Sequence, residues 1–332
     1  DPAALLSRAL HLWDPLGAMG QLQNQAYGYL IPAGPFHWAL TGVGIPGWIV
    51  QRLWWSTILI IAFVGMWRLA RAFGVRDLWA AYLAALAYAV GPRFISEVAV
   101  TSVEVWPLAV APWVLLPLVD PRPRPMLRRV ALSALAVAMV GGVNAVATGA
   151  TLVLPAIWLL TRSPWRRALH NFAGWLACVL MATAWWLIPL LLLGRYSPPF
   201  LDWIENSSVT TAFASPFNAL SGVTPWLNFL SGAGGPSWPG GWALVTNAFL
   251  IAVTALVAGL GLVGLGRSPQ DQRLFLCLGL LCGLILVTAG HSGAAGGGPH
   301  AIIQDFLDGT GAPLRNTHKF ELVIRVPLTV GL

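Results

Sequence analysis

The sequence predicts an all-α, polytopic membrane protein. Of its 332 residues 57% are hydrophobic and only 9% charged, with a mean hydropathy of +0.71. The apolar residues also fall in runs separated by short arginine-rich or long aromatic segments. No soluble core needs so much apolar surface with so few charges. The net charge of +7 does not point to nucleic acid, because the arginines sit in short loops between apolar runs, which is a topology signal. Cys178, Cys277 and Cys282 lie inside apolar segments with neither disulfide nor metal-ligand spacing. The chain has no initiator Met and stops inside an apolar run, so it is expected to be an internal piece of a longer protein.

Taken in order, residues 1–46 are expected to lie outside the bilayer. Leu5, Leu6, Ala9, Leu10, Leu12 and Trp13 recur with a helical period suited to the membrane interface. Gln21, Gln23, Asn24 and Gln25, with Tyr27 and Tyr29, form an uncharged, aromatic-flanked patch that suits a polyhydroxylated ligand or an ordinary polar loop. Residues 47–332 then supply transmembrane helices and outer loops with short amphipathic helices, all within one domain. The first span covers about 48–73. Two short pairs follow, 78–90 with 105–119 and 130–143 with 151–160. Each run is shorter than the roughly 20 residues a bilayer needs, so linker residues complete it or the helix is broken around a cavity. Better spans cover 174–194, 244–265 and 274–289, and a last one begins near Phe320. The expectation is about nine membrane segments.

Lys and Arg set the orientation. Arg68, Arg71 and Arg76, then Arg122, Arg124, Arg128 and Arg129, then Arg162, Arg166 and Arg167, then Arg267 and Arg273 occupy short loops on one side. By the positive-inside rule that side is cytoplasmic. The other side carries the long segments and most of the acids, so the chemistry is expected there, outside the cytoplasm.

The densest charge lies at Pro313–Pro327, with Arg315, His318, Lys319, Glu321 and Arg325 at the mouth of the last helix. Such residues mark function unless they snorkel. A helix starting at Arg315 would put Arg315, His318, Glu321 and Arg325 on one stripe, with Glu321 and Arg325 paired at i,i+4. In the outer loop 195–243, Asp202 and Glu205 could divide acid and base roles or hold a divalent cation, or be two solvated acids. The tryptophans of that loop suit an interface belt or stacking on sugar rings. Glu97 and Glu104 lie between two short helices, with Arg93 as a structural partner or, less favoured, in catalysis. Asn144 and Thr148, among small residues, fit a tight helix crossing or a cavity lining. No Walker A, GxSxG, HExxH or CxxC pattern occurs.

Leu-Trp-Asp-Pro15, Gly20-Gln-Leu-Gln-Asn-Gln-Ala-Tyr-Gly-Tyr-Leu30, Gly141-Gly-Val-Asn144 and Arg315-Asn-Thr-His-Lys-Phe-Glu321 with Arg325 resemble the actinobacterial α-(1→3)-arabinofuranosyltransferases of the AftD type. These are GT-C membrane glycosyltransferases. The resemblance implies a GT-C-like helix bundle in the plasma membrane, a decaprenyl-phosphoryl-arabinose donor, and an arabinan acceptor of arabinogalactan or lipoarabinomannan. It implies transfer at the extracytoplasmic face and a catalytic aspartate in the first outer loop, upstream of Asp1. With that base missing, the piece alone is expected to be inactive. On this reading Arg315, Asn316, Lys319 and Arg325 bind the donor, while among the catalytic candidates His318 positions the phosphate and Glu321 orients Arg325. Glu205 is the base available within the chain, and Gln21, Gln23, Asn24, Tyr27 and Asn144 contact sugar. No cofactor follows beyond a divalent cation at the carboxylates. The rival readings are a polyprenyl-lipid or solute transporter, and a non-catalytic glycan-binding scaffold.

Overall fold

The computed structural model describes residues 2–15, 20, 25–196, 200–293 and 298–332. In chain order the helices are α1 (Pro2–Arg8), α2 (Ala33–Gly42), α3 (Gly47–Ala72), α4 (Leu78–Ala89), α5 (Pro92–Glu97), α6 (Ser102–Val119), α7 (Met126–Val140), α8 (Ala145–Ala150) and α9 (Val153–Thr161). They continue as α10 (Trp165–Tyr196), α11 (Ser207–Thr210), α12 (Pro216–Ser221), α13 (Pro239–Thr246), α14 (Ala248–Arg267), α15 (Gln270–Thr288), α16 (Pro299–Asp308) and α17 (Leu322–Val330). Short 3-10 turns and one two-residue antiparallel ladder, Ser231–Gly232 with Gly235–Pro236, fill the loops.

Six helical stretches among the described residues are long and apolar enough to cross a bilayer: α3, α4 with α5, α6, α10, α14 and α15. The expected count of about nine is therefore too high by that measure. The short runs behave differently from one another. Pro92 opens α5 directly after α4, so Leu78–Glu97 completes one span, while α8 and α9 together make a shorter apolar hairpin arm over Ala145–Thr161. α10 begins at Trp165, well before the predicted start, and its 32 residues run about 48 Å, beyond the hydrocarbon core of about 30 Å. Arg166 and Arg167 thus belong to its first turn rather than to a loop.

α6 is the centre of the bundle, with two thirds of its span buried, against a sixth of α14. It carries Pro107, Pro112 and Pro117, each of which deletes one helical hydrogen bond. In lipid a freed carbonyl needs another donor. Pro112 frees the Leu108 carbonyl, and the Tyr88 hydroxyl of α4 donates to it at 2.7 Å. Side chains from other helices hold the same axis. Ser133 Oγ of α7 donates to the Val114 carbonyl at 2.7 Å and accepts from Trp175 Nε1 of α10 at 2.9 Å. Trp106 Nε1 donates to the Met139 carbonyl and Trp113 Nε1 to the Ile61 carbonyl, both at 2.9 Å.

The two ends of the bundle differ. At one end the loops after α3, α9 and before α15 meet, where Phe73, Trp158 and Phe275 pack ring against ring and Arg162 reaches Asp271 at 3.9 Å. At the other end the long loops fold over the start of α17. That short helix is clasped by glycines of α14 and α15. A Cβ at Gly261 would stand 2.6 Å from the Leu328 carbonyl, and one at Gly283 would stand 2.8 Å from Ile324 Cγ1 and 3.0 Å from its backbone nitrogen. Small residues let helices approach this closely in a membrane. Gly283→Leu is expected to lower the thermal midpoint in detergent, as overpacking by about 1–3 kcal/mol does. Gly259→Ala, which meets nothing within 4 Å, should not. Equal midpoints for the two variants would show that α17 is not held by this contact.

Candidate active site

The loop before α17 does not start a helix at Arg315. Residues 317–321 form a 3-10 turn (Thr317–Glu321), and α17 begins only at Leu322. A 3-10 turn has three residues per turn rather than 3.6, so the predicted stripe breaks. Only its second half survives, with Arg325 Nε 3.6 Å from Glu321 Oε1. Arg315 points elsewhere. Its Nη1 donates to the Leu201 and Glu205 carbonyls at 3.0 and 2.6 Å, and its Nε donates to the Leu307 carbonyl and lies 3.2 Å from Asp308 Oδ1. Buried to 5% exposure, it ties the outer loop to the end of α16.

The remaining charged groups of this turn converge with α5, α6 and α8. Arg93 and Glu97, one turn apart on α5, lie 2.5 Å apart and are both buried, Glu97 completely. Arg93 Nη1 also donates to the His318 carbonyl at 2.5 Å, which fixes the 3-10 turn against α5. Glu104, at the start of α6, accepts from Asn144 Nδ2 at 2.8 Å and lies 3.6 Å from Lys319 Nζ. Asn144 is in place because its Oδ1 caps α8 by accepting from the Ala147 N–H. Glu321, also fully buried, accepts from Thr224 Oγ1 at 2.9 Å. The Arg325 guanidinium donates to the Ala219 and Leu220 carbonyls, completing the otherwise unpaired end of α12. Gly222, at φ +84°, makes room for this, because a Cβ there would stand 2.9 Å from Glu321 Oε1.

Two cavities meet at Arg93. The larger, about 210 Å³, has walls from α4, α14 and α17, including Leu108, Val253, Val257 and Leu328, with Arg93 and Arg325 as its charged groups. The smaller is a recess about the size of one water, lined by Arg93, Glu104, Lys319 and Glu321. His318 is buried, and its Nδ1 has no hydrogen-bond partner among the described residues. Burial, helped by the charges of Arg93 and Lys319, holds its pKa well below 6.5, so the ring is neutral at pH 7.

A sequence profile described as the α-(1→3)-arabinofuranosyltransferase N-terminal GT-C domain, AftD type, matches residues 1–332. The chain belongs to this family. It is 42% identical over 334 residues to an α-(1→3)-arabinofuranosyltransferase of Mycolicibacterium smegmatis and 40% identical over 336 residues to one of Mycobacterium tuberculosis. Both matches cover 100% of this chain and 23% and 24% of the relatives, so the chain spans about a quarter of their length. A cryo-EM structure of arabinofuranosyltransferase AftD from mycobacteria superposes with a TM-score of 0.76 at 34% identity, covering 100% of this chain and 21% of that one.

Within this AftD-type domain the predicted residues are distributed unevenly. Arg325 lines the larger cavity and Lys319 and Glu321 the smaller, while Asn144 is tied to that recess through Glu104 and His318 through its carbonyl's bond to Arg93. Glu205 sits beside them through Asn316, whose Nδ2 donates to Glu205 Oε1 at 3.1 Å, while Trp226 Nε1 donates to Asn316 Oδ1 at 3.4 Å. Tyr27 is buried in an apolar cluster with Trp186 and Leu193, which makes it a packing residue in this arrangement. Its neighbour Gly28 abuts the loop that carries Asn144, since a Cβ there would stand 2.9 Å from the Gly142 carbonyl. Gln21, Gln23 and Asn24 lie outside the described residues. Thr148 donates to the Gly141 and Asn144 carbonyls rather than across a helix crossing. Among the described residues no three His, Cys, Asp or Glu side chains gather as a metal cluster. The sequence reading undervalued Arg93 and Glu104. Their depth between two short helices was the available signal, and Thr224 had none.

His318 gives a pH test. Its folded-state pKa is depressed, so the unfolded state binds more protons below about pH 6.5 and stability falls as pH drops from there. In His318→Gln this part of the acid destabilisation should disappear. Parallel melting-point-against-pH curves for the two proteins would show that the histidine is not buried neutral.

Proposed function

We propose that this chain is the membrane part of a glycosyltransferase that moves arabinofuranose from a polyprenyl-phosphate donor to cell-wall arabinan, forming α-(1→3) branches. The observation that carries the proposal is an apolar-walled cleft ending at two arginines and adjoining a polar recess with carboxylates. A polyprenyl chain suits the walls supplied by α14 and α17. The donor phosphate suits Arg325 and Arg93 at the charged end, with Lys319 beyond the shared wall. Arginine meets phosphate with paired, charge-assisted hydrogen bonds.

In the reaction an acceptor hydroxyl oxygen attacks the anomeric carbon, the bond from that carbon to the phosphate oxygen breaks, and polyprenyl phosphate leaves with the electron pair. The hydroxyl proton passes to a carboxylate. Within this chain Glu205 is the candidate, held by Asn316 at the edge of the site. Charge grows on the departing phosphate, where Arg325 and Lys319 stabilise it. Glu321 orients Arg325, and neutral His318 positions the turn without adding charge. The sugar contacts are assigned to Asn144 and to Gln21, Gln23 and Asn24, whereas Arg315 and Tyr27 serve the scaffold. The arginine-rich loops at the opposite end support an extracytoplasmic face for this one.

In the full-length enzyme Lys319→Ala and Arg325→Ala should each lower transfer from the polyprenyl donor by about 10²–10³-fold, the scale of losing one preorganised charge-stabilising group. Glu205→Gln should lower turnover with little change in donor KM. Normal turnover and normal donor KM in a folded Lys319→Ala enzyme would remove the phosphate role.

A further inference from the structure

A cavity larger than the one at Arg325 reaches the other end of the bundle and plays no part in the proposed transfer. It is a groove of about 600 Å³ between α3, α6 and α7. Its walls include Ile61, Trp106, Val110, Leu132, Leu135 and Met139, and it ends at Arg68, Asp120, Arg122 and Arg124. Trp106 and Asp120 are 14 residues apart on one helix axis, about 21 Å at 1.5 Å per residue. The groove therefore follows the helices through much of the hydrocarbon depth and closes at a polar end.

That end is built. Arg122 donates to both oxygens of Asp120 from Nε at 3.0 and 2.9 Å, and Arg124 lies 3.4 Å from Asp120 Oδ2. Arg129 holds the loop by donating to the Leu118, Arg122 and Arg124 carbonyls. Arg68 has its guanidinium 5.5 Å from the Trp113 ring centre and makes no ion pair among the described residues. Three arginines thus line an end that holds one carboxylate, and only Arg122 and Arg124 pair with it. The pull of the arginines keeps Asp120 ionised by lowering its pKa, so the cluster retains positive charge.

We infer that this groove binds an anionic phospholipid of the leaflet facing the arginine-rich loops, with one acyl chain along α6 and the headgroup between Arg68 and Arg124. The occupant follows from complementarity at both ends. A long apolar channel fits an acyl chain, and excess arginine charge at the membrane surface fits an anionic headgroup. A soluble anion would leave the channel unfilled, and a zwitterionic lipid would leave the charge unmatched.

The test uses the full-length protein in nanodiscs of phosphatidylcholine doped with a phosphatidylglycerol probe carrying a photoreactive diazirine in its acyl chain. The expected result is labelling of α7 between Leu132 and Met139, competed by unlabelled phosphatidylglycerol but not by phosphatidylcholine. Labelling should fall by about fivefold for each of Arg68→Gln and Arg124→Gln, the effect of one basic residue near an anionic surface. Ala136→Trp, which fills the groove without touching the charges, should abolish it. Both arginine variants should keep wild-type donor transfer, which separates this site from the active site. Equal labelling by a phosphatidylcholine probe, or labelling indifferent to the arginine variants, would overturn the inference. So would protection of the groove by another segment of the full-length chain, seen as no labelling of folded wild-type protein.

Discussion

The constraint on which the rest depends is the burial of carboxylates in an apolar bundle. Glu97 and Glu321 have no exposed surface, and Glu104 is mostly covered. An isolated buried ion costs several kcal/mol even after relaxation, so each must find a partner nearby. Arg93, Lys319 and Arg325 match Glu97, Glu104 and Glu321, and together they draw α5, α6, the turn before α17 and the end of α12 to one point. The convergence of these otherwise separate segments is a consequence of that pairing. Removing one partner would leave its mate as an uncompensated buried charge, so the network is held as a unit.

The same logic explains α6. Its three prolines would weaken a helix exposed to lipid, yet α6 is the most buried of the spans. Each freed carbonyl requires a donor from a neighbour, and Tyr88 meets that requirement at Leu108. At Pro112 the cost of the proline thus becomes a fixed attachment between α6 and α4, and Ser133 of α7, itself held by Trp175 of α10, adds a second at Val114. Glu104, immediately before the first buried residue of α6, inherits this rigidity.

Much of this architecture was legible in the sequence because hydropathy in a bilayer is a strong signal. The spans α3, α6, α14 and α15 fall within a few residues of where apolar runs place them. The arginine-rich loops do gather at one end: Phe73, Trp158 and Phe275 join three of them, and Arg68 shares a groove end with Arg122 and Arg124 of the fourth. What failed is instructive. Arg315 was grouped with Arg325 on helical spacing, but spacing says nothing of a 3-10 turn that ends before the helix begins. Tyr27 was grouped with polar neighbours, yet its ring has α10 to pack against, which no local pattern reveals. The ion pair of Arg93 and Glu97 was visible at i,i+4, whereas the tie from Arg93 to the His318 carbonyl spans 225 positions and has no local trace.

Charge balance links the network to catalysis. Each of the three cations has an acidic partner in the resting site. On the proposed reading a donor phosphate would add negative charge beside Glu321 and Glu97, and repulsion of that kind is relieved most simply by a proton or by displacement of a carboxylate. His318 does not supply the charge, being neutral, and on the proposed reading Arg325 would meet the phosphate in place, without leaving the α12 carbonyls. Lys319 is the cation best placed to respond. Its ammonium is 3.6 Å from Glu104, a looser pair than that of Arg93, and Glu104 keeps Asn144 as a second partner when Lys319 turns away. The doubled partnership of Glu104 is therefore what would let Lys319 leave its pair for the phosphate, while the fixed arginines hold the frame.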